Sequence, residues 1–154
     1  MRLVQEAGLT LLRHRANGLE IHHKARGELV TGADLASHRL IRDGLARAFP
    51  VDALDTEEAA DTPDRLTARR VWIVDPLDST SACAAGSDEY SVSIGLAVGA
   101  QPVLGAVYNP AGDELIAGGD RVLAASARKP PARECRRGVR PGSLTRKPPA
   151  PRAL

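Results

Sequence analysis

The sequence predicts an α/β fold of the layered α+β kind, with two amphipathic helices packed on a mostly antiparallel sheet and a basic tail behind it. Three observations carry this. Apolar residues recur at helical spacing in two N-terminal stretches, 2–15 and 35–49. Between residues 70 and 117 they gather instead in short runs rich in β-formers, separated by Gly, Pro and Asn. Composition then changes at Gly118-Gly119: the last 35 residues hold six of the eleven prolines and no aromatic residue. We expect residues 1–119 to form the folded domain. Residues 120–154 are expected to be a disordered tail, apart from a short run near Val122–Ala127.

The elements follow in order. Leu3, Val4, Ala7, Leu11 and Leu12 make one face of a first helix, which Asn17-Gly18 breaks. "LEIHHK" alternates enough to be a short strand, and "ARGEL" reads as a loop or hairpin turn. Leu35, Leu40, Ile41, Leu45 and Phe49 give the apolar face of a second helix of about 15 residues, stopped by Pro50. "VDALDTEEAADTPDRL" reads as a strand end opening into an acidic loop. "RRVWIVD" is a continuous apolar run and so a buried strand. "STSACAAG" starts a short helix on hydroxyl residues. Strands are expected at 90–98 and 103–108, joined by Gly99-Ala100-Gln101-Pro102. A third is expected at 114–117 after the turn Asn109-Pro110-Ala111-Gly112.

Charge divides where composition does. Residues 1–119 carry 11 Lys/Arg against 17 Asp/Glu, a net of −6; residues 120–154 carry 10 against 2, a net of +8. The acidic front suits a cation site and argues against a nucleic-acid surface. The tail lacks the aromatic interleaving and the fold that would lift nucleic-acid binding above plain electrostatics. No apolar run approaches the roughly 20 residues that span a bilayer, and the N-terminus shows no signal-peptide pattern. Cys83 and Cys135 have no metal-type spacing, which suits reduced thiols in a cytoplasmic setting. His22 and His23, adjacent on a short strand, point to opposite faces and make poor joint ligands.

Chemistry concentrates in Asp75-Pro76-Leu77-Asp78-Ser79-Thr80. Pro76 turns the chain at a strand end, where two carboxylates and a carbonyl could share one space and hold a hard divalent ion such as Mg²⁺. The helix that starts behind them offers free N–H groups to an anion. The same hexapeptide also reads as a plain helix cap with Asp75 in solvent. Glu57-Glu58 could add a carboxylate or be a solvated loop. Thr31-Gly32-Ala33-Asp34 is a capping pattern whose carboxylate, if it reached Thr80, could orient a water.

Taken together and in order, these motifs resemble the inositol monophosphatase family, which includes the 3'(2'),5'-bisphosphate nucleotidases. The family pattern has T-x-x-D at a helix start, E-E after a strand, then W-[IV]-[IV]-D-P-[LI]-D-G-T. This chain has "TGAD", "DTEE" and "VWIVDPLDST", followed by "YSVSIGLAVGAQPVLGAVYNPAGDEL". The resemblance covers about residues 1 to 119. It implies the N-terminal portion of that fold and Mg²⁺-dependent hydrolysis of a small phosphate monoester, inhibited by lithium. By position it implies Glu57, Asp75, Asp78 and the Leu77 carbonyl as metal ligands. It also implies Asp34 and Thr80 as the water-positioning pair and the amides of Ser79 and Thr80 as the phosphate seat.

Two departures stand out. Ser79 occupies a place where the family has Gly, crowding the phosphate seat. The chain also has one tryptophan, Trp72, and no W-D motif of the kind that completes the family's metal site, for which one explanation is a truncated or frame-shifted product. The alternative function is therefore an inactive remnant of the family, with a bare sheet edge and an exposed apolar face. The resemblance allows a homodimer, which the missing half argues against.

Overall fold

Two helices lie across one face of a six-stranded sheet, and among the described residues no helix covers the other face. The structure is a computed structural model that describes residues 2–23, 29–58, 63–119 and, by its backbone, 122–127. The elements in chain order are α1 (Arg2–Ala16), β1 (Ile21–His23), β2 (Leu29–Thr31), α2 (Gly32–Ala48), β3 (Ala53–Thr56), α3 (Asp64–Thr67), β4 (Arg70–Asp78), α4 (Thr80–Ala84), β5 (Ser91–Val98), β6 (Gln101–Asn109), β7 (Glu114–Gly119) and β8 (Val122–Ala127). The main sheet runs β3-β4-β5-β6-β7-β8. Only β3 is parallel to its neighbour; β4 to β8 form an antiparallel meander. The fold is thus α+β with a mostly antiparallel sheet, as the periodicities predicted. Among the described residues no helix is long and apolar enough to cross a membrane.

α1 buries Val4, Ala7, Gly8 and Leu11, the i, i+3, i+4, i+7 stripe of an amphipathic helix. Gly8 permits close approach: a Cβ there would lie 2.5 Å from the Tyr108 ring. Between the helices and the sheet sits the core, which includes Val4, Leu11, Ile41, Leu45, Trp72, Val74, Val92, Ile94 and Tyr108. The β5–β6 hairpin turns on Gly99 and Ala100, both at positive φ (55° and 64°), as a type I′ turn demands. Gln101 and Pro102, expected in this connection, already belong to β6.

Three expectations change. The buried stripe of α2 is Ala33, Asp34, Ser37, His38, Ile41 and Leu45, whereas Leu35 and Phe49 are exposed. In its first half Asp34 and Ser37 bond to the helix and strand they face, while the buried His38 Nε2 has no hydrogen-bond partner among the described residues. β4 is not buried on both sides: Trp72 and Val74 face the helices, while Ile73 between them is 52% exposed on the uncovered face. A continuous apolar run cannot tell which of its two faces is covered. Of "ARGEL", residues 25–28 lie outside the described residues, and Leu29 belongs not to a loop but to β2, which pairs antiparallel with Ile21–His23. The sheet also continues past Gly119, because β8 pairs along β7 from Gly119↔Val122 to Glu114↔Ala127. This is the short run that the sequence set apart. Cys83 is a buried free thiol; Cys135 lies outside the described residues.

Candidate active site

The site is assembled at one end of β4, where three chain segments meet. The first is the start of α2. Thr31 is its N-cap, with a complete capping box: the Thr31 hydroxyl accepts from the amides of Ala33 and Asp34, and Asp34 Oδ2 accepts from the Thr31 amide at 2.7 Å. Asp34 Oδ2 also accepts from the Thr31 hydroxyl at 2.5 Å. Asp34 is 2% exposed, so its carboxylate is held in a single orientation by these partners.

The second segment is the strand end itself. Ser37 Oγ, one turn along α2 from Asp34, donates to the Pro76 carbonyl at 2.8 Å. That bond ties helix to strand across 39 residues, and sequence reasoning missed it. The available signal was Ser37 falling on the same helical stripe as Asp34, three residues on. Proline at 76 gives up an N–H at the strand end, and the ladder between β4 and β5 shifts register between Asp75 and Asp78. The Leu77 amide donates to Asp75 Oδ1 at 3.1 Å.

The third segment is the start of α4. Ser79, its N-cap, sits at φ 64° and ψ 47°, the left-handed region, and makes no capping bond. Its hydroxyl makes only a long 3.4 Å bond to Asp78 Oδ1. A non-glycine residue pays roughly 1 kcal/mol for this conformation, the reason glycine suits the position. The turn aims Thr80 back at α2. Thr80 Oγ1 lies 3.0 Å from Asp34 Oδ1 and 3.0 Å from the Leu77 carbonyl. The hydroxyl has one proton, and the ionised carboxylate is the stronger acceptor. Donation to Asp34 leaves the Thr80 oxygen free to accept a further hydrogen bond.

Glu57 reaches the site through strand pairing. In the parallel register Thr56 stands beside Val74, so residue 57 emerges next to Asp75. The Asp75 carboxyl, half-buried, is pushed up to about 6, first by burial and then by the negative charges of Glu57 and Asp78, with the Leu77 amide acting in the opposite sense. The three carboxylates therefore share one field. Even so, among the described residues no three His, Cys, Asp or Glu side chains converge closely enough to cage an ion; Asp78 and Glu57 are both exposed. The donors nonetheless suit a hard divalent cation. They comprise two exposed carboxylates, a half-buried one that resists ionisation, and a carbonyl with a lone pair to spare.

Known proteins resemble this chain in sequence and in fold. The family model described as the inositol monophosphatase family matches residues 1–134. Inositol monophosphatase 2 of Solanum lycopersicum is 44% identical over 98 residues, covering 62% of this chain and 37% of that protein. The 3'(2'),5'-bisphosphate nucleotidase CysQ of Escherichia coli (strain K12) is 38% identical over 93 residues, covering 60% and 38%. Among solved structures, the extragenic suppressor protein suhB from Bartonella henselae superposes with a TM-score of 0.71 at 29% identity, covering 82% of this chain and 49% of that one. The chain thus spans about half the length of that structure and under two-fifths of these curated relatives. With a family model matched over most of its length, the chain belongs to the inositol monophosphatase family.

Proposed function

We propose that this chain carries the cation and water-positioning half of a Mg²⁺-dependent phosphomonoesterase acting on a small phosphate monoester, either an inositol monophosphate or a 3'(2'),5'-bisphosphate nucleotide. The observation that carries this reading is the 3.0 Å bond between Thr80 Oγ1 and the buried Asp34 carboxylate, two residues 46 apart in the chain. Asp75, Asp78, Glu57 and the Leu77 carbonyl would hold the cation. When bound, it supplies positive charge to the phosphate oxygens and acidifies a water.

The chain's own groups do the rest. Asp34, fixed by Thr31, accepts a hydrogen bond from the Thr80 hydroxyl and so orients the Thr80 oxygen as an acceptor toward a water. That water gives up a proton to solvent as its oxygen attacks phosphorus, the bond from phosphorus to the alcohol oxygen breaks, and the leaving alkoxide takes a proton from solvent. The amides of Ser79 and Thr80, at the start of α4, would seat the phosphate. No covalent intermediate on the enzyme is needed.

The alternative is an inactive member of the family. Ser79 in the left-handed conformation, beside the phosphate seat, favours it. Two measurements on the 154-residue chain separate the readings: Mg²⁺ binding by calorimetry, and phosphate release from inositol 1-phosphate and 3'-phosphoadenosine 5'-phosphate. Release abolished by Asp34→Asn supports the active enzyme. Mg²⁺ binding that is lost in Asp75→Asn, without turnover, selects the inactive member. Neither binding nor turnover rejects both.

A further inference from the structure

α4 is five residues long, too short to hold a fixed direction through its own hydrogen bonds. Thr80, its first residue, is tied to Asp34 on α2. The other end of the helix carries a second tie. Gly86 stands at φ 83°; its amide donates to the Cys83 carbonyl at 3.1 Å, and the Ser87 amide reaches back to the Ala82 carbonyl at 2.9 Å. This pairing is the Schellman cap, in which a left-handed glycine closes the last turn. The segment behind α4 is thus hydrogen-bonded into the helix. Cys83, near the middle, is buried in the core.

Arg15, at the end of α1, holds that cap. Its Nη2 donates to the Gly86 carbonyl and its Nη1 to Asp88 Oδ1 at 3.1 Å, across 71 and 73 residues of chain. Its guanidinium lies 5.2 Å from the centre of the Tyr90 ring. Asp88 is fixed from the other side, where Asn109 Nδ2 donates to its carbonyl at 3.0 Å. Two nitrogens on two acceptors beside a ring use the planar fork of arginine, which a lysine ammonium does not reproduce. The helix dipole favours any basic residue at this end, and Arg13, His14 and Arg15 all sit in the last turn of α1. Of the three, it is Arg15 that spans to the loop. A part-exposed ion pair adds little stability by itself, so the arrangement matters most for direction.

We propose that Arg15 is a positioning residue for the Thr80–Asp34 pair. α4 is a short rod held at both ends. Thr80 Oγ1 rests on Asp34 Oδ1 at 3.0 Å, and Gly86 rests on Arg15 about 9 Å further along. With the far end fixed, the rod cannot pivot about the buried Cys83 and lift Thr80 off the carboxylate. Release of the Gly86 carbonyl lets the cap swing, and the bond at the other end lengthens. Arg15 bonds to neither Thr80 nor Asp34 and acts on them through α4. The catalytic consequence, a water oriented by Thr80, rests on the function proposed above. The mechanical coupling between the two ends of α4 stands without it.

The test is a double-mutant cycle on the full 154-residue chain, read by chemical denaturation. Thr80→Val removes the hydroxyl and keeps the shape. Its effect on the folding constant is expected to be about threefold smaller, or less still, in an Arg15→Gln background than in the wild type, because there the bond to Asp34 is already slack. Arg15→Lys, which keeps the charge and loses the fork, is expected to give the same result. Arg13→Gln, on the exposed side of the same turn, should leave the effect of Thr80→Val unchanged. Where the chain releases phosphate, Arg15→Lys should lower kcat about tenfold with KM and Mg²⁺ affinity unaltered. Absence of release would count against the proposed function, and the cycle would still decide the role of Arg15. Additivity of Arg15→Gln with Thr80→Val overturns the proposal, as does additivity of Arg15→Lys should the neutral variant not fold. If neither variant folds, Arg15 is a folding residue and the narrower role is wrong.

Discussion

The two ends of α2 are equally buried and are held by different physics. At its C-terminal end Ile41 and Leu45 pack into an aliphatic core, where stability grows with apolar area and no direction is preferred. At its N-terminal end Thr31, Asp34 and Ser37 are just as inaccessible, but each is tied to a named atom of Pro76, Thr80 or the helix cap. The first end resists volume loss. The second resists any change in the number or direction of its hydrogen bonds. The site therefore needs no flexible loop to bring Asp34 to Thr80, because the helix that builds the core also aims the carboxylate.

Substitutions in order of expected effect break or sharpen this contrast. Ile41→Ala, at a fully buried position, should destabilise by about 2–5 kcal/mol, read as a lowered denaturation midpoint. It leaves the Asp34–Thr80 pair in place, so Mg²⁺ affinity below the unfolding transition should be unaffected. Asp34→Ala removes the acceptor of the Thr31 amide and of two hydroxyls, and should cost about 1–3 kcal/mol through buried groups left unpaired. Asp34→Asn keeps the volume, and the comparison of the two by chemical denaturation isolates the charge. Ser37→Ala frees only the Pro76 carbonyl and should cost about 1 kcal/mol; amide exchange at Leu77 and Asp78 would speed up as the strand end loosens. Ser79→Gly is the reverse case. It removes a left-handed strain of roughly 1 kcal/mol, partly offset by the entropy of the unfolded glycine, so the melting temperature should rise slightly or stay level. A clear fall would show that the serine side chain contributes something its exposed position hides.

The smallest effect is one of pH. Asp75 titrates at about 6 in the fold against 3.8 for an ordinary aspartate, chiefly through burial. Its ionisation therefore opposes folding. The stability tied to its neutral form is fully present below about pH 4 and is lost as pH rises through about 6. Melts of the chelator-treated chain at pH 4, 5, 6 and 7, compared with Asp75→Asn, should diverge with rising pH in favour of the variant. The gap stays modest because the carboxyl is only half-buried and is screened by solvent. Added Mg²⁺ should raise the wild type at pH 7 and not the variant.

Much of the site was legible in one dimension. Thr31-Gly32-Ala33-Asp34 is a local pattern, and local hydrogen bonding closes it as a capping box wherever it starts a helix. The crowding at Ser79 follows from what a Cβ permits, whereas Asp75-Pro76-Leu77-Asp78, expected to turn sharply after the strand, stays within β4 and only shifts its register against β5. Glu57 was weaker in the sequence because only the parallel pairing of β3 with β4 carries it to Asp75. Ser37 left only a faint trace, its place on the helical stripe of Asp34, which says nothing of a partner. Its role exists only once Pro76 O is placed opposite.

The same division runs through the fold. By itself the sequence determined α1, α2 and α4, most strands, a connection between β5 and β6 and the cap of α2, because these rest on interactions within a few residues; it missed the one-turn helix α3 and drew the β5–β6 connection two residues too long. Tertiary structure alone decided which face of each strand is covered, that the first half of the α2 stripe is polar, and that Arg15 meets Gly86 and Asp88. Those outcomes depend on register between strands and on what packs against them. Period-two and period-3.6 patterns can show that a face exists, but they carry no record of what that face meets.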